Sequence, residues 1–253
     1  MDVVNPIVRR MQSEARDDPD GFWANEAERL PWFKKWDTVF DWTPPTFTWF
    51  SGAETNLAWN CLDRHVAAGR AGHGALIGVN ELGERRTYTY GQLLREVERV
   101  AGALRGMGIG KGDRVTVYMP TMPEAIILML AVVRIGAIHS VVFAGFGSGA
   151  LGERIRLSGS KAVFAADITW RKGKTVDLKG IVDNALAGGE HVVEKVVMLQ
   201  RQPDACPMEA GRDITWDEFM AGGAGQDTGH VAMEANEPAF ILATSGVDRK
   251  SVV

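Results

Sequence analysis

Three short stretches carry residue types that could do chemistry. Near the end, the apolar run Phe240 to Ala243 opens onto Thr244, Ser245 and Gly246. Hydroxyls there can donate hydrogen bonds, and a glycine lets backbone N–H groups approach phosphate oxygens; an ordinary Ser-Gly turn after a strand has the same composition. In "WRKGKTVDLKG", Arg171, Lys172 and Lys174 crowd around Gly173 in a loop between an apolar run and a helical one. A basic cluster at the carboxyl end of a parallel strand can dock an anionic ligand, and a solvated charged loop reads alike. The third stretch, Gly147-Ser148-Gly149-Ala150-Leu151-Gly152, has Asp167 ending the next strand 20 residues after Gly147. Glycines and an acid so spaced suit the pyrophosphate and ribose of NAD. That fingerprint usually opens its domain, however, and two strand–helix units precede it here.

The elements that must position these residues form a regular pattern after residue 70. Thr89 with Gln92 makes a capping box, Leu93, Leu94, Val97, Val100, Ala101 and Leu104 mark one helical face, and Gly108 suits the stop. "DRVTVYMP" reads as a buried strand, "PEAIILMLAVVRIG" as a helix with Pro123 in its first turn, and "AIHSVVFAG" as a strand. A helix from Ala150 to Leu157, the strand "KAVFAAD", the helical "DLKGIVDNALAGG" and the strands "EKVVMLQ" and "PAFILAT" follow. Such alternation predicts an α/β fold: a mostly parallel sheet with right-handed crossovers and helices on both faces. Before residue 70 lie six of the eight tryptophans, Trp23, Trp32, Trp36, Trp42, Trp49 and Trp59, with no regular period and a Pro44-Pro45 stop. This aromatic-rich extension reads as a strap, its rings buried against a neighbouring body.

A chain of 253 residues holds one large domain or two small ones. Apolar content of 45% and charged content of 24% are those of a soluble globular protein, and a net charge of -4 gives no reason to expect nucleic acid or an anionic membrane surface. Cys61 and Cys206 lack metal-site spacing and read as reduced thiols of a cytoplasmic protein. The N-terminus lacks a signal-peptide pattern. Arg134, Gly136 and His139 interrupt the most lipid-like stretch, Ala125 to Phe146.

Taken together, "FWANEAERLPWF", "TNLAWNCLDRH", "TYTYGQLLREVERVAGALRGMGIGKGDRVTVYMPTMPEAIILMLAVVRIGAIHSVVFAGF", "GRDITWDEF" and "NEPAFILATSG" resemble the N-terminal part of the AMP-forming acetyl-CoA synthetases, within the adenylate-forming acyl-CoA synthetase superfamily. The resemblance implies an incomplete N-terminal large domain of the adenylate-forming fold over residues 71–246, the family's N-terminal extension over residues 1–70, and a non-family tail over residues 247–253. The glycine-rich stretch then resembles the family's "FGGFS" turn.

The implied reaction has two steps. A short carboxylate attacks the α-phosphate of ATP with Mg²⁺ present, giving acyl-AMP and pyrophosphate, and the CoA thiol then displaces AMP. Thr244, Ser245 and Gly246 match the start of the loop that wraps the ATP phosphates, with Ala243 where the family usually has Tyr. Arg171 and Gly173 match an "RxGR"-type loop that contacts the phosphates of CoA, with Lys174 in place of Arg, which keeps the charge and loses the bidentate fork. After Gly246 the likeness stops at "VDRKSVV". The family's Mg²⁺-binding acid, acyl pocket and catalytic Lys lie beyond it, so no catalytic or metal-binding residue is expected in this chain. The expectation is a truncated gene product, its tail encodable by a sequencing-adapter read-through, with no synthetase activity alone. A non-catalytic CoA-binding protein is the other reading of the basic loop.

Overall fold

The computed structural model describes residues 5–81, 83–202 and 206–243. The chain divides into two compact units, Met1–Asn56 with Ala232–Glu237, and Leu57–Val231 with Pro238–Val253.

In the first unit, helices Pro6–Asp17 and Pro19–Ala27 each begin on a proline, and the side chains of Asn5 and Asp18 cap them. Proline suits the first helical position because the missing N–H would have been unpaired there. Thr38–Thr43 and Thr46–Ser51, rich in β-branched and aromatic residues, form an antiparallel hairpin turning at Pro44-Pro45. Glu54–Thr55 pairs with Met233–Glu234, so a late segment of the chain completes this unit. The expected strap of buried rings is corrected. The rings of this unit pack on one another, with Trp23 5.8 Å and Phe40 4.5 Å from Trp49, and Trp32 5.6 Å from Trp36. Trp42 remains 67% exposed.

The second unit is built on six strands: β1 Arg114–Tyr118, β2 Ile138–Val141, β3 Ala162–Ala166, β4 Lys195–Leu199, β5 Asp213–Thr215 and β6 Phe240–Ile241. They lie in the order β5-β4-β3-β1-β2-β6, and every neighbouring pair is parallel. Five helices cover the sheet: α1 Tyr90–Gly106, α2 Pro123–Arg134, α3 Ser148–Ser158, α4 Leu178–Leu186 and α5 Trp216–Ala221.

Alternation along the strands sorts the helices into two layers. Val115, Val117, Phe164 and Val197 face a core shared with Val97 of α1, Leu128 of α2 and Phe219 of α5. Tyr118, Val163, Ala165, Val196 and Met198 face the opposite core, closed by Leu151 and Ile155 of α3 and Leu178 and Val182 of α4. Strands buried on both faces must be apolar throughout, which is why these segments read as continuous runs. The capping box holds as expected: the Gln92 N–H donates to Thr89 Oγ1 at 3.2 Å and the Thr89 N–H to Gln92 Oε1 at 2.9 Å.

Two antiparallel hairpins were not anticipated. Gly74–Val79 pairs with Arg85–Thr89, and Ile168–Arg171 with Lys174–Asp177. Their strands are short and carry exposed charges, so no clean alternation marks them. The last strand, expected over the whole of "PAFILAT", is confined to Phe240–Ile241 among the described residues.

Candidate functional site at the carboxyl edge of the sheet

β2 lies on one side of β1 and β3 on the other, so the segments leaving β1 and β3 diverge at a topological switch point. Ligands of open α/β sheets bind outside the carboxyl ends of the strands at such points. The segments arriving there are the turn after β1, Val142 to Gly147 after β2, the hairpin after β3, and Leu242 and Ala243 after β6.

The basic residues stand on that hairpin, which corrects the reading of "WRKGK" as a loop. Arg171 pairs with Lys174, leaving Lys172 and Gly173 as a two-residue turn with φ values of 51° and 75°. Left-handed backbone at both central positions defines a type I′ turn, whose twist matches that of the flanking strands. All four residues are exposed, so three cations project from one tight turn. The base of the hairpin is tied down by Asp167, which is 1% exposed. Its carboxylate accepts the N–H of Ile168 at 2.7 Å, of Arg201 at 2.8 Å and of Gln202 at 3.4 Å. The Arg201 guanidinium in turn stacks over Trp170, 4.5 Å from the ring centroid.

Aromatic residues of the β2 segment meet the hairpin. The Arg171 guanidinium lies 5.8 Å from the centroid of Phe143, a ring 61% exposed. Gly145 makes the approach possible: a Cβ there would stand 2.3 Å from the Phe143 ring and 2.8 Å from Arg171 Nη1. Tyr118, fully buried at the end of β1, donates its hydroxyl to the Phe146 carbonyl at 2.6 Å and pins the same segment. Burial pushes the Tyr118 phenol above its ordinary pKa, so it stays a donor.

Two concavities flank Phe143. One, of about 420 Å³, is lined by Asn80, Glu81, Thr121, Phe143, Trp170 and Arg171. The other, of about 440 Å³, is mostly apolar, with Met119, Ile126, Met129, Phe146 and Leu242 beside Arg154. Phe143, Gly145, Tyr118 and Trp170 were not singled out from sequence, because nothing in their local spacing sets them apart from core aromatics. Thr244, Ser245 and Gly246 lie outside the described residues. Among the described residues no three His, Cys, Asp or Glu side chains gather as a metal site.

The NAD reading of Gly147 to Gly152 is not favoured. α3 begins at Ser148, so Gly149 and Gly152 lie inside the helix. Gly152 serves packing instead, since a Cβ there would stand 2.9 Å from the Ala185 carbonyl in α4. Asp167, the supposed ribose ligand, spends its carboxylate on three backbone amides.

The chain is an α/β domain, its parallel sheet covered on both faces with cations and open aromatic concavities at the carboxyl edge, and residues 63–247 match the family described as AMP-binding enzyme. The chain belongs to that family. Residues 8–61 match the acetyl-coenzyme A synthetase N-terminus. Acetyl-coenzyme A synthetase of Deinococcus radiodurans is 45% identical over 240 residues, covering 94% of this chain and 36% of the relative. The 3-hydroxypropionyl-coenzyme A synthetase of Sulfurisphaera tokodaii is 44% identical over 92% of this chain and 36% of its own length. Among solved structures, acetoacetyl-CoA synthetase from Streptomyces lividans superposes with a TM-score of 0.81 at 25% identity, covering 92% of this chain and 35% of that one. The chain thus spans about 36% of the length of the curated relatives it matches.

Proposed function

We propose that the chain forms the N-terminal portion of a ligase that activates a short carboxylate with MgATP to an acyl-adenylate and passes the acyl group to the thiol of CoA. In this reading residues 1–70 are the N-terminal extension and residues 71–246 the first part of the adenylate-forming domain. Arg171, Lys172 and Lys174, with Gly173 at the turn, meet phosphates of CoA. Thr244, Ser245 and Gly246 begin the loop that receives the phosphates of ATP. The observation that carries the reading is the turn bearing three exposed cations, with Arg171 beside Phe143, at the carboxyl edge of a sheet whose sequence matches the AMP-binding family. Charge-assisted contacts to phosphate are among the stronger hydrogen bonds, and Arg adds planar, paired donors that Lys lacks.

In this reading these residues hold and orient the substrates. The chemistry of adenylation is mostly positioning and neutralisation of phosphate charge. The 253-residue chain is therefore proposed to bind without turning over. Calorimetric titration with CoA, ATP and NADH tests this. CoA is expected to bind, NADH to give no heat of binding, and Arg171→Ala to weaken CoA about tenfold, the scale of one charged hydrogen bond. Absence of CoA binding by the folded chain would overturn the assignment of the basic turn, and measurable ATP–pyrophosphate exchange would overturn the claim of inactivity.

A further inference from the structure

The hairpin that carries the basic turn has little pairing of its own. Ile168–Arg171 and Lys174–Asp177 form a separate two-stranded sheet of four residue pairs. Two strands alone are marginally stable in water, so the direction in which the turn points depends on what the hairpin rests against. Its base is closed by Asp167, whose carbonyl accepts the N–H groups of Leu178 at 2.9 Å and Lys179 at 3.0 Å.

Further along the hairpin the support is Arg201. Asp167 also holds the Arg201 backbone N–H, which starts that side chain beside the hairpin. The guanidinium lies over Trp170 and donates from Nη1 to the Ile168 carbonyl at 3.4 Å. Its Nη2 stands 3.8 Å from the Glu81 carboxylate, and the arginine side chain is only 11% exposed. Glu81 comes from the tip of the other hairpin, Gly74–Val79 with Arg85–Thr89, and that tip is tied to itself. The Glu84 N–H donates to Asn80 Oδ1 at 2.9 Å, and Asn80 Nδ2 donates to the Glu84 carboxylate at 2.7 Å. One guanidinium thus bridges two hairpins distant in sequence. Trp170 and Asn80 line the concavity beside Phe143 and also a second one, of about 510 Å³, which Arg201 itself lines.

We propose that Arg201 is a positioning residue: it bridges Glu81 and Trp170 and thereby aims the turn of Arg171, Lys172 and Lys174 at its anionic ligand. The role rests on the reading of that turn as a site for CoA phosphates. Successive strand residues point to opposite faces, so a fixed Trp170 ring sets the direction in which the adjacent Arg171 side chain leaves the strand. Lysine at position 201 would supply the charge without the flat, delocalised cation that stacks on an indole.

Arg201→Gln keeps the backbone N–H that Asp167 accepts and removes only the cation, while Arg201→Lys keeps the charge and loses the plane. Hydrogen–deuterium exchange without ligand compares peptides covering residues 168–177 with those covering β4. The Gln variant is expected to speed exchange over 168–177 about fivefold and leave β4 unchanged, with the Lys variant between it and native. NMR adds a signature: the indole N–H of Trp170, identified by its loss in Trp170→Phe, shifts in Arg201→Gln. Calorimetric titration is expected to show CoA weakened about fivefold by Gln and less by Lys. Glu81→Gln loosens 168–177 in the same sense by a smaller factor, and it supplies the comparison if the Gln variant at 201 does not fold. Unchanged exchange with an unchanged Trp170 resonance overturns the proposal. Equal acceleration of β4 overturns it as well, being the mark of general destabilisation, and a loosened hairpin with full CoA affinity overturns the aiming role. Because exchange and NMR are read without ligand, absence of CoA binding by the native chain would overturn the earlier reading of the turn, while the hairpin data still decide whether Arg201 holds it.

Discussion

Arg134, the last residue of α2, donates both terminal nitrogens to the carboxylate of Asp63, at 2.8 and 3.1 Å. The arginine is 2% exposed, and it also donates to Glu98 at 3.3 Å and to the Thr228 carbonyl at 2.8 Å. Four segments distant in sequence thus meet on one buried guanidinium. Removing one partner of a buried pair costs more than the pair contributes, because the other charge is left without compensation. Asp63→Ala is expected to lose about 3 kcal/mol of stability in urea unfolding. Adding Arg134→Met should recover part of that loss, and a single-variant loss below ~1 kcal/mol would show that Glu98 and Thr228 suffice.

His139 makes stability depend on acid. Its ring is buried and neutral, with burial lowering the pKa from 6.5 to about 4. The unfolded chain therefore binds a proton below about pH 6.5 that the folded chain refuses until about pH 4, and stability falls as pH falls through that window. Between pH 7 and pH 5 the contribution is about 2 kcal/mol. Urea midpoints for the native chain and His139→Leu at both pH values check this; the variant should lose less stability on acidification. Parallel losses in the two proteins would assign the effect to carboxylates instead.

Gly145 links the aromatic and basic parts of the site. Gly145→Ala places a methyl group where the Phe143 ring and Arg171 now stand, and those two must separate. CoA affinity is expected to drop about fivefold to tenfold, with the urea midpoint little changed because the side chains concerned are exposed. Calorimetry on the variant reads the first, and full-strength CoA binding would remove Phe143 from the account.

At the hairpin tip, Lys172 carries a left-handed φ of 51°. Asparagine tolerates that backbone better than lysine and precedes glycine in the favoured type I′ sequence. Lys172→Asn is expected to raise stability by about 0.5 kcal/mol while weakening CoA by removal of one cation. Opposite signs in the melting and binding measurements are the expected signature.

Much of the second unit was legible in the sequence because its sheet is parallel and doubly covered. Segments such as Ala162–Ala166 are apolar at every position, and Thr89 with Gln92 announces the start of α1. The hairpin bearing Arg171 was not legible, since Lys172-Gly173 is not the usual turn pair and "TWR" and "KTVD" are too polar to mark strands. Asp167 was visible as an acid after a strand, but its partners at Arg201 and Gln202 come from a loop 34 and 35 residues away. Local spacing could not reveal that its role is to cap amides. The aromatic segment misled for a related reason. Rings without a period hide a two-stranded hairpin whose pairing, Trp42 opposite Phe47, is set by the Pro44-Pro45 turn.

The division of the first unit between Met1–Asn56 and Ala232–Glu237 also orders events during synthesis. At ribosomal speeds of roughly 5–20 residues per second, the opening segment waits on the order of ten seconds for Asn236 to be made. Throughout that interval the Trp49 edge lacks the Asn236 side chain that completes it. Of the two units, the one whose synthesis starts earlier is thereby completed only after most of the other has been made.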